Sequence, residues 1–76
     1  LHAAAYGDVD VMRLLLDEGA DVNAVDAQRE TALHLACVGR HVEAARLLTK
    51  YGALWSAVND DNQTPVQLAP PEFMRL

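Results

Sequence analysis

Shifting the chain against itself by 33 places brings identical residues together at 12 of 43 positions, where this composition gives about 4 by chance. The matches cluster. Arg13, Leu14 and Leu15 meet Arg46, Leu47 and Leu48; Gly19 and Ala20 meet Gly52 and Ala53; Ala24 and Val25 meet Ala57 and Val58; Thr31, Leu35 and Ala36 meet Thr64, Leu68 and Ala69. A short unit is therefore used more than once. That restricts the fold to an array in which each unit buries its apolar side on its neighbours, since no unit of this size holds a core alone.

Each unit reads as two short helices and an irregular stretch. Thr31 precedes an apolar run (Leu33, Leu35, Ala36) and is placed as an N-cap, its hydroxyl facing the unpaired amides of a first turn. Thr64 repeats this with Pro65 at the first helical position, where a missing amide costs nothing. A second helix is expected from about Val9 to Asp17 and from about Val42 to Lys50. Their apolar stripes read as Val11, Leu14 and Leu15, then Ala44, Leu47 and Leu48. Gly19 and Gly52 end these helices in the left-handed conformation that glycine adopts freely. Polar stretches without helical period follow, Asp21 to Glu30 and Leu54 to Gln63, and are expected to form turn-bearing fingers.

The T-A-L-H-L-A of residues 31–36, the H-V-E-A-A-R-L-L of residues 41–48 and the G-A-D-V-N-A of residues 19–24 resemble the ankyrin repeat, whose period is also 33 residues. The resemblance covers essentially the whole chain. It implies an all-α repeat fold, an α-solenoid of helix-turn-helix units with protruding β-turn fingers. The family's register gives a partial first repeat at 1–25, a complete second at 26–58, and a truncated third repeat or C-terminal cap at 59–76. Several residues depart from the pattern. Arg29 and Asn62 stand where the family has a turn glycine, and Arg40 replaces another, with Gly39 one place early. Because Arg tolerates the left-handed region poorly and Asn better, Arg29 is expected to mark an altered turn. Trp55 takes the place of a small branched residue and is expected to overpack unless its neighbours make room. Pro70 and Pro71 should stop the last helix near Ala69, leaving Glu72 to Leu76 as a capping tail.

Composition narrows the function. The chain carries six Lys and Arg against eleven Asp and Glu, a net charge of −5, with no basic run. This argues against nucleic acid and anionic membrane surfaces as partners. Thirteen of its 76 residues are alanine and four are aromatic, so the core is expected to be thin, with Ala20, Ala36, Ala45, Ala53 and Ala69 letting short helices approach closely. A single cysteine, Cys37, forms no internal disulfide and fits a reducing compartment. The expected localisation is intracellular, cytoplasmic or nuclear. The chain opens at Leu1 without an initiator Met and is read as an excerpt of a larger protein, its open first unit covered by flanking repeats or a partner.

His34, Cys37 and His41 lie at i, i+3 and i+7, a metal-capable alignment on one continuous helix. That helix should end before His41, and a closed zinc site needs one more ligand. The alternative is a buried thiol acting as a small hydrophobe beside two histidines bonded to cap and turn groups; in the resembled family the histidine matching His34 ties one turn to the next. No metal and no cofactor are expected. Cys37 with His34 or His41 is the one candidate nucleophile–base pair, set against an inert core thiol. Asp26, Asp60 and Asp61 match no calcium loop. Leu15, Asp21, Val22 and Asn23 resemble the context in which ankyrin repeats are recognised by an asparaginyl hydroxylase; the plainer reading is that Asn23 holds the turn through its own side chain.

The resemblance further implies that partners contact turn tips and the exposed side of the first helices. In this sequence those positions are Ala5 and Tyr6; Val25, Ala27, Gln28, Arg29 and Glu30; Val38 and Gly39; and Val58, Asp60, Asp61 and Gln63. Tyr6 and Arg29 are the residue types most often decisive in interfaces. The expected function is a non-enzymatic module that binds a protein or peptide segment, the alternative a structural or regulatory attachment to a catalytic or ligase-recruiting domain in the same protein.

Overall fold

The computed structural model describes residues 7–71 and 73. Four helices lie among them: α1 (Val9–Asp17), α2 (Ala32–Val38), α3 (Val42–Lys50) and α4 (Pro65–Leu68). They form the all-α repeat solenoid, with α1 packed on α3, α3 on α2, and α2 on α4. The second helices α1 and α3 make one layer, the first helices α2 and α4 the other.

The helix boundaries follow from local chemistry. Thr31 Oγ1 accepts from His34 N at 3.3 Å, and the His34 ring accepts from Thr31 N, so side chain and backbone satisfy each other in a capping box. Thr64 and Gln67 form the same box one unit later, with Pro65 at the start of the helix. Asp8 caps α1 through Val11 N. α4 ends as expected before the double proline, because the residue preceding a proline is pushed out of the helical region: Ala69 is extended at φ −72°, ψ 136°. Beyond it the chain turns back through a bond from Phe73 N to Pro70 O, and the Phe73 ring is buried. The rest of the expected tail, Glu72 and residues 74–76, lies outside the described residues.

The core is built from Met12, Leu16, Leu33, Cys37, Leu47, Leu48 and Phe73, spaced by Ala32, Ala36, Ala44, Ala45 and Ala53. Ala36 and Ala45 are fully buried, so alanine does set the close approach of α2 and α3; Ala20 and Ala69 are only partly buried. The stripe expected on α1 is corrected. Met12 and Leu16 face inward, while Val11, Leu14 and Leu15 are 43%, 59% and 36% exposed. Their counterparts Leu47 and Leu48 are buried because α3 is packed by both α1 and α2, whereas among the described helices α1 has its main packing against α3. Trp55 does not overpack. It lies half-buried at the edge of the core and its indole Nε1 donates to Thr49 Oγ1 at 3.1 Å.

The turn at Arg29 is not altered. Arg29, Arg40 and Asn62 take φ of 61°, 60° and 61°, the left-handed conformation that glycine would supply. The finger and loop hydrogen bonds outweigh the side-chain clash, which costs about 1–2 kcal/mol for an ordinary L-residue. Arg29→Gly and Arg40→Gly should each raise stability by about 1 kcal/mol, and together by about 2 kcal/mol, since the sites share no partner. Urea-unfolding midpoints measure this, and midpoints that stay level or fall would show that the backbone is unstrained there.

Candidate functional site

Each finger is organised by one acceptor side chain at its base. Asp26 Oδ1 accepts from Gln28 N and Glu30 N, both at 2.9 Å. The backbone closes the same loop through Asp26 N to Glu30 O and Arg29 N to Asp26 O, each 3.0 Å, and an isolated antiparallel bridge joins Val25 to Thr31. Asn59 repeats this 33 residues on: its Oδ1 accepts from Asp61 N at 3.0 Å and Gln63 N at 2.9 Å, and its Nδ2 donates to Gln63 Oε1. Asp26 Oδ1 is therefore committed to backbone amides. The repeat pattern alone does not single out Asp26 and Asn59 as the organisers. Their shared register and the Asx-turn preference of both residues were the available signal.

Neighbouring fingers are tied to each other. Asp60 N donates to Gln28 O at 3.0 Å, joining tip to tip. His34 Nε2 reaches Gln63 O at 2.9 Å, while its Nδ1 receives the Thr31 amide at 3.1 Å and lies 2.8 Å from Thr31 Oγ1. A nitrogen accepting a backbone N–H carries no proton, so His34 is the neutral tautomer with its proton on Nε2. Both ring nitrogens are used and the side chain is fully buried, which removes His34 as a metal ligand or general base. His41 sits beyond the end of α2, and its ring lies against Gly7 and Gly39, where an added Cβ would fall within 2.6 Å of it. No cluster of metal-capable side chains exists among the described residues.

Asn23 also reaches into the next unit. Its Oδ1 accepts from Leu54 N at 3.0 Å and its Nδ2 donates to Gly52 O at 3.4 Å. The plain reading is corrected in one respect: the side chain holds the neighbouring loop, and Asp21 Oδ1, accepting from Asn23 N at 2.9 Å, holds Asn23's own turn. Cys37 is 1% exposed, and burial pushes its thiol up to about 11 from an ordinary 9.0. It is protonated at neutral pH and closed to reagents, unlike an activated nucleophile.

Most of the positions expected to contact a partner are exposed. Ala27, Gln28, Arg29, Asp60 and Asp61 are exposed at the finger tips, with Glu30 and Gln63 half-buried behind them. Val25 and Val58, one unit apart, are 56% and 38% exposed, and Val38 with Gly39 stands open at the end of α2. The bonded fingers thus present polar tips, with Val25 and Val58 exposed one unit apart. Ala5 and Tyr6 lie outside the described residues. No helix among the described residues is long and apolar enough to cross a membrane.

A family model described as "Ankyrin repeats (3 copies)" matches residues 1–70. The chain is 38% identical over 77 aligned positions to the mouse (Mus musculus) protein named protein phosphatase 1 regulatory subunit 27; the match takes in all of this chain and half of that protein. It is 41% identical over 69 positions to protein fem-1 homolog C of Xenopus laevis, covering 91% of this chain but 11% of that protein. Among solved structures, the human ASB11 ankyrin repeat domain superposes with a TM-score of 0.85 at 37% identity, over 90% of this chain and 31% of that one.

Two outcomes follow from the buried groups. His34→Ala strands the Thr31 amide and the Gln63 carbonyl and empties the ring's space, and should cost about 3 kcal/mol of unfolding free energy in urea titrations. Cys37 should resist thiol reagents at pH 8 in the folded chain and react promptly in urea. With the folded pKa raised, the unfolded thiol ionises first as pH climbs past 9.0, so stability falls from there toward pH 11 and is unaffected below. Cys37→Ala should remove that part of the alkaline slope, and an unchanged slope would contradict the assignment.

Proposed function

This chain belongs to the ankyrin repeat family, a family of protein-interaction modules, and from that premise we propose that it captures a protein or peptide segment along its finger tips and first-helix rim. The carrying observation is the pairing of exposure with rigidity. Gln28, Arg29, Asp60 and Asp61 are exposed, yet their backbones are fixed by Asp26, Asn59 and the bond from Asp60 N to Gln28 O. Side chains on a preorganised rim lose little backbone freedom when a partner binds. The exposed Val25, Val38 and Val58 supply apolar area, and Arg29 a guanidinium for a partner carboxylate. Tyr6 and Ala5 extend the same set by register. The division into 1–25, 26–58 and 59–76 is part of this reading, as is an intracellular location. Asn23 remains a candidate for asparaginyl hydroxylation, its amide then having to leave Gly52 and Leu54 to reach an enzyme.

A regulatory attachment within a larger protein is the second reading. It rests on the matched segment forming half of a relative named as a phosphatase regulatory subunit and about a tenth of another relative. The two readings are compatible, because a regulatory attachment works by binding.

Replacing Tyr6, Gln28 and Arg29 together by alanine should lower capture of a partner about tenfold or more, the loss expected when two or three anchor side chains go. Far-UV circular dichroism should stay unchanged. Capture that survives in a folded triple variant would move the site off the finger rim.

A further inference from the structure

The layer of second helices carries a feature that the finger rim does not use. Between α1 and α3 runs a cleft of about 230 Å³ lined by Val9, Arg13, Glu43, Arg46, Leu47, Lys50 and Tyr51. The chain has a net charge of −5 and only six basic residues, yet three of them, Arg13, Arg46 and Lys50, meet here with a single lining carboxylate. The repeat puts them there. Arg13 and Arg46 are 33 residues apart and hold equivalent places on adjacent helices, while Lys50 follows Arg46 by one helical turn and so shares its face.

Existing partners hold these cations weakly. Arg13 lies 3.6 Å from Asp10 and Arg46 3.5 Å from Glu43, in pairs whose side chains are 54% to 96% exposed, and such pairs exchange partners at little cost. Lys50 has no partner among the described residues. At one end, the Tyr51 hydroxyl donates to the Asp17 carboxylate, tying that acidic group to the phenol. Leu47 is buried and Val9 half-buried, giving the cleft an apolar floor. Its volume is below the range of cofactor pockets and suits one or two side chains.

We propose that this cleft binds an acidic polypeptide segment, whose carboxylates lie among Arg13, Arg46 and Lys50 while an adjacent apolar side chain rests on Val9 and Leu47. Charge complementarity selects the occupant. The acidic remainder of the surface repels such a segment and leaves the cleft as its landing place. The site is separate from the finger rim and does not depend on that reading.

Fluorescence anisotropy of a fluorescein-labelled peptide carrying glutamates around one leucine, titrated with the intact chain at low salt, tests this. Saturable binding is expected. Lys50→Glu and Arg46→Glu should each weaken it about tenfold or more, and the milder Lys50→Met, which keeps the side-chain stem, about threefold. Added sodium chloride should weaken it further, while Arg29→Glu, on a finger, should leave it within about twofold. No saturable binding, equal binding of the glutamine analogue of the peptide, or an equal loss in the Arg29→Glu control would overturn the proposal.

Discussion

The fold depends on hydrogen bonds that cross from one unit to the next. His34 is the clearest case: a fully buried ring with both nitrogens engaged, one capping its own helix through Thr31 and one holding Gln63 of the following finger. Short helices of four to nine residues are too short to be stable alone in water. They persist because each is packed on its neighbour, and α1, α2 and α4 are also capped by a side chain. Asn23, bonded to Gly52 and Leu54, and Asp60, bonded to Gln28, add rungs along the same direction. Without these rungs the fingers would be solvated loops, and the rim would not be fixed.

That dependence also separates the two surfaces. The inter-unit bonds consume the backbone of the fingers and leave their side chains outward, so Gln28, Arg29, Asp60 and Asp61 are free to vary without disturbing the core. On the other layer, α1 packs on α3, and repetition of an arginine at the same place creates a cation-lined cleft. One surface is shaped by turns held from behind, the other by two equivalent helices of adjacent units.

Several expectations failed for reasons that are physical and local. Arg29 and Arg40 were read as breaking the glycine pattern, yet both keep φ near 60°, because the hydrogen bonds around each turn demand that conformation whatever the side chain. Val11, Leu14 and Leu15 carry the same apolar pattern as Ala44, Leu47 and Leu48, but pattern states which face is apolar, not whether anything covers it. Trp55 is too large for a fully buried place between units, but it sits half-buried at the edge, bonded to Thr49.

The amino-acid sequence by itself determined the repeat, the family, the four helix positions and the threonine caps of α2 and α4, because these rest on spacing and on residue types with narrow conformational preferences. Through register it also picked out the residues that stand exposed at the finger tips. Only the tertiary structure decided which side chain of each finger holds it together, where the Asn23 amide goes, which half of α1 is buried, and that Arg13, Arg46 and Lys50 share one cleft. These are relations between units. A period shows that units recur, but the contacts between them depend on how far one helix is turned and shifted against the next, which packing alone sets.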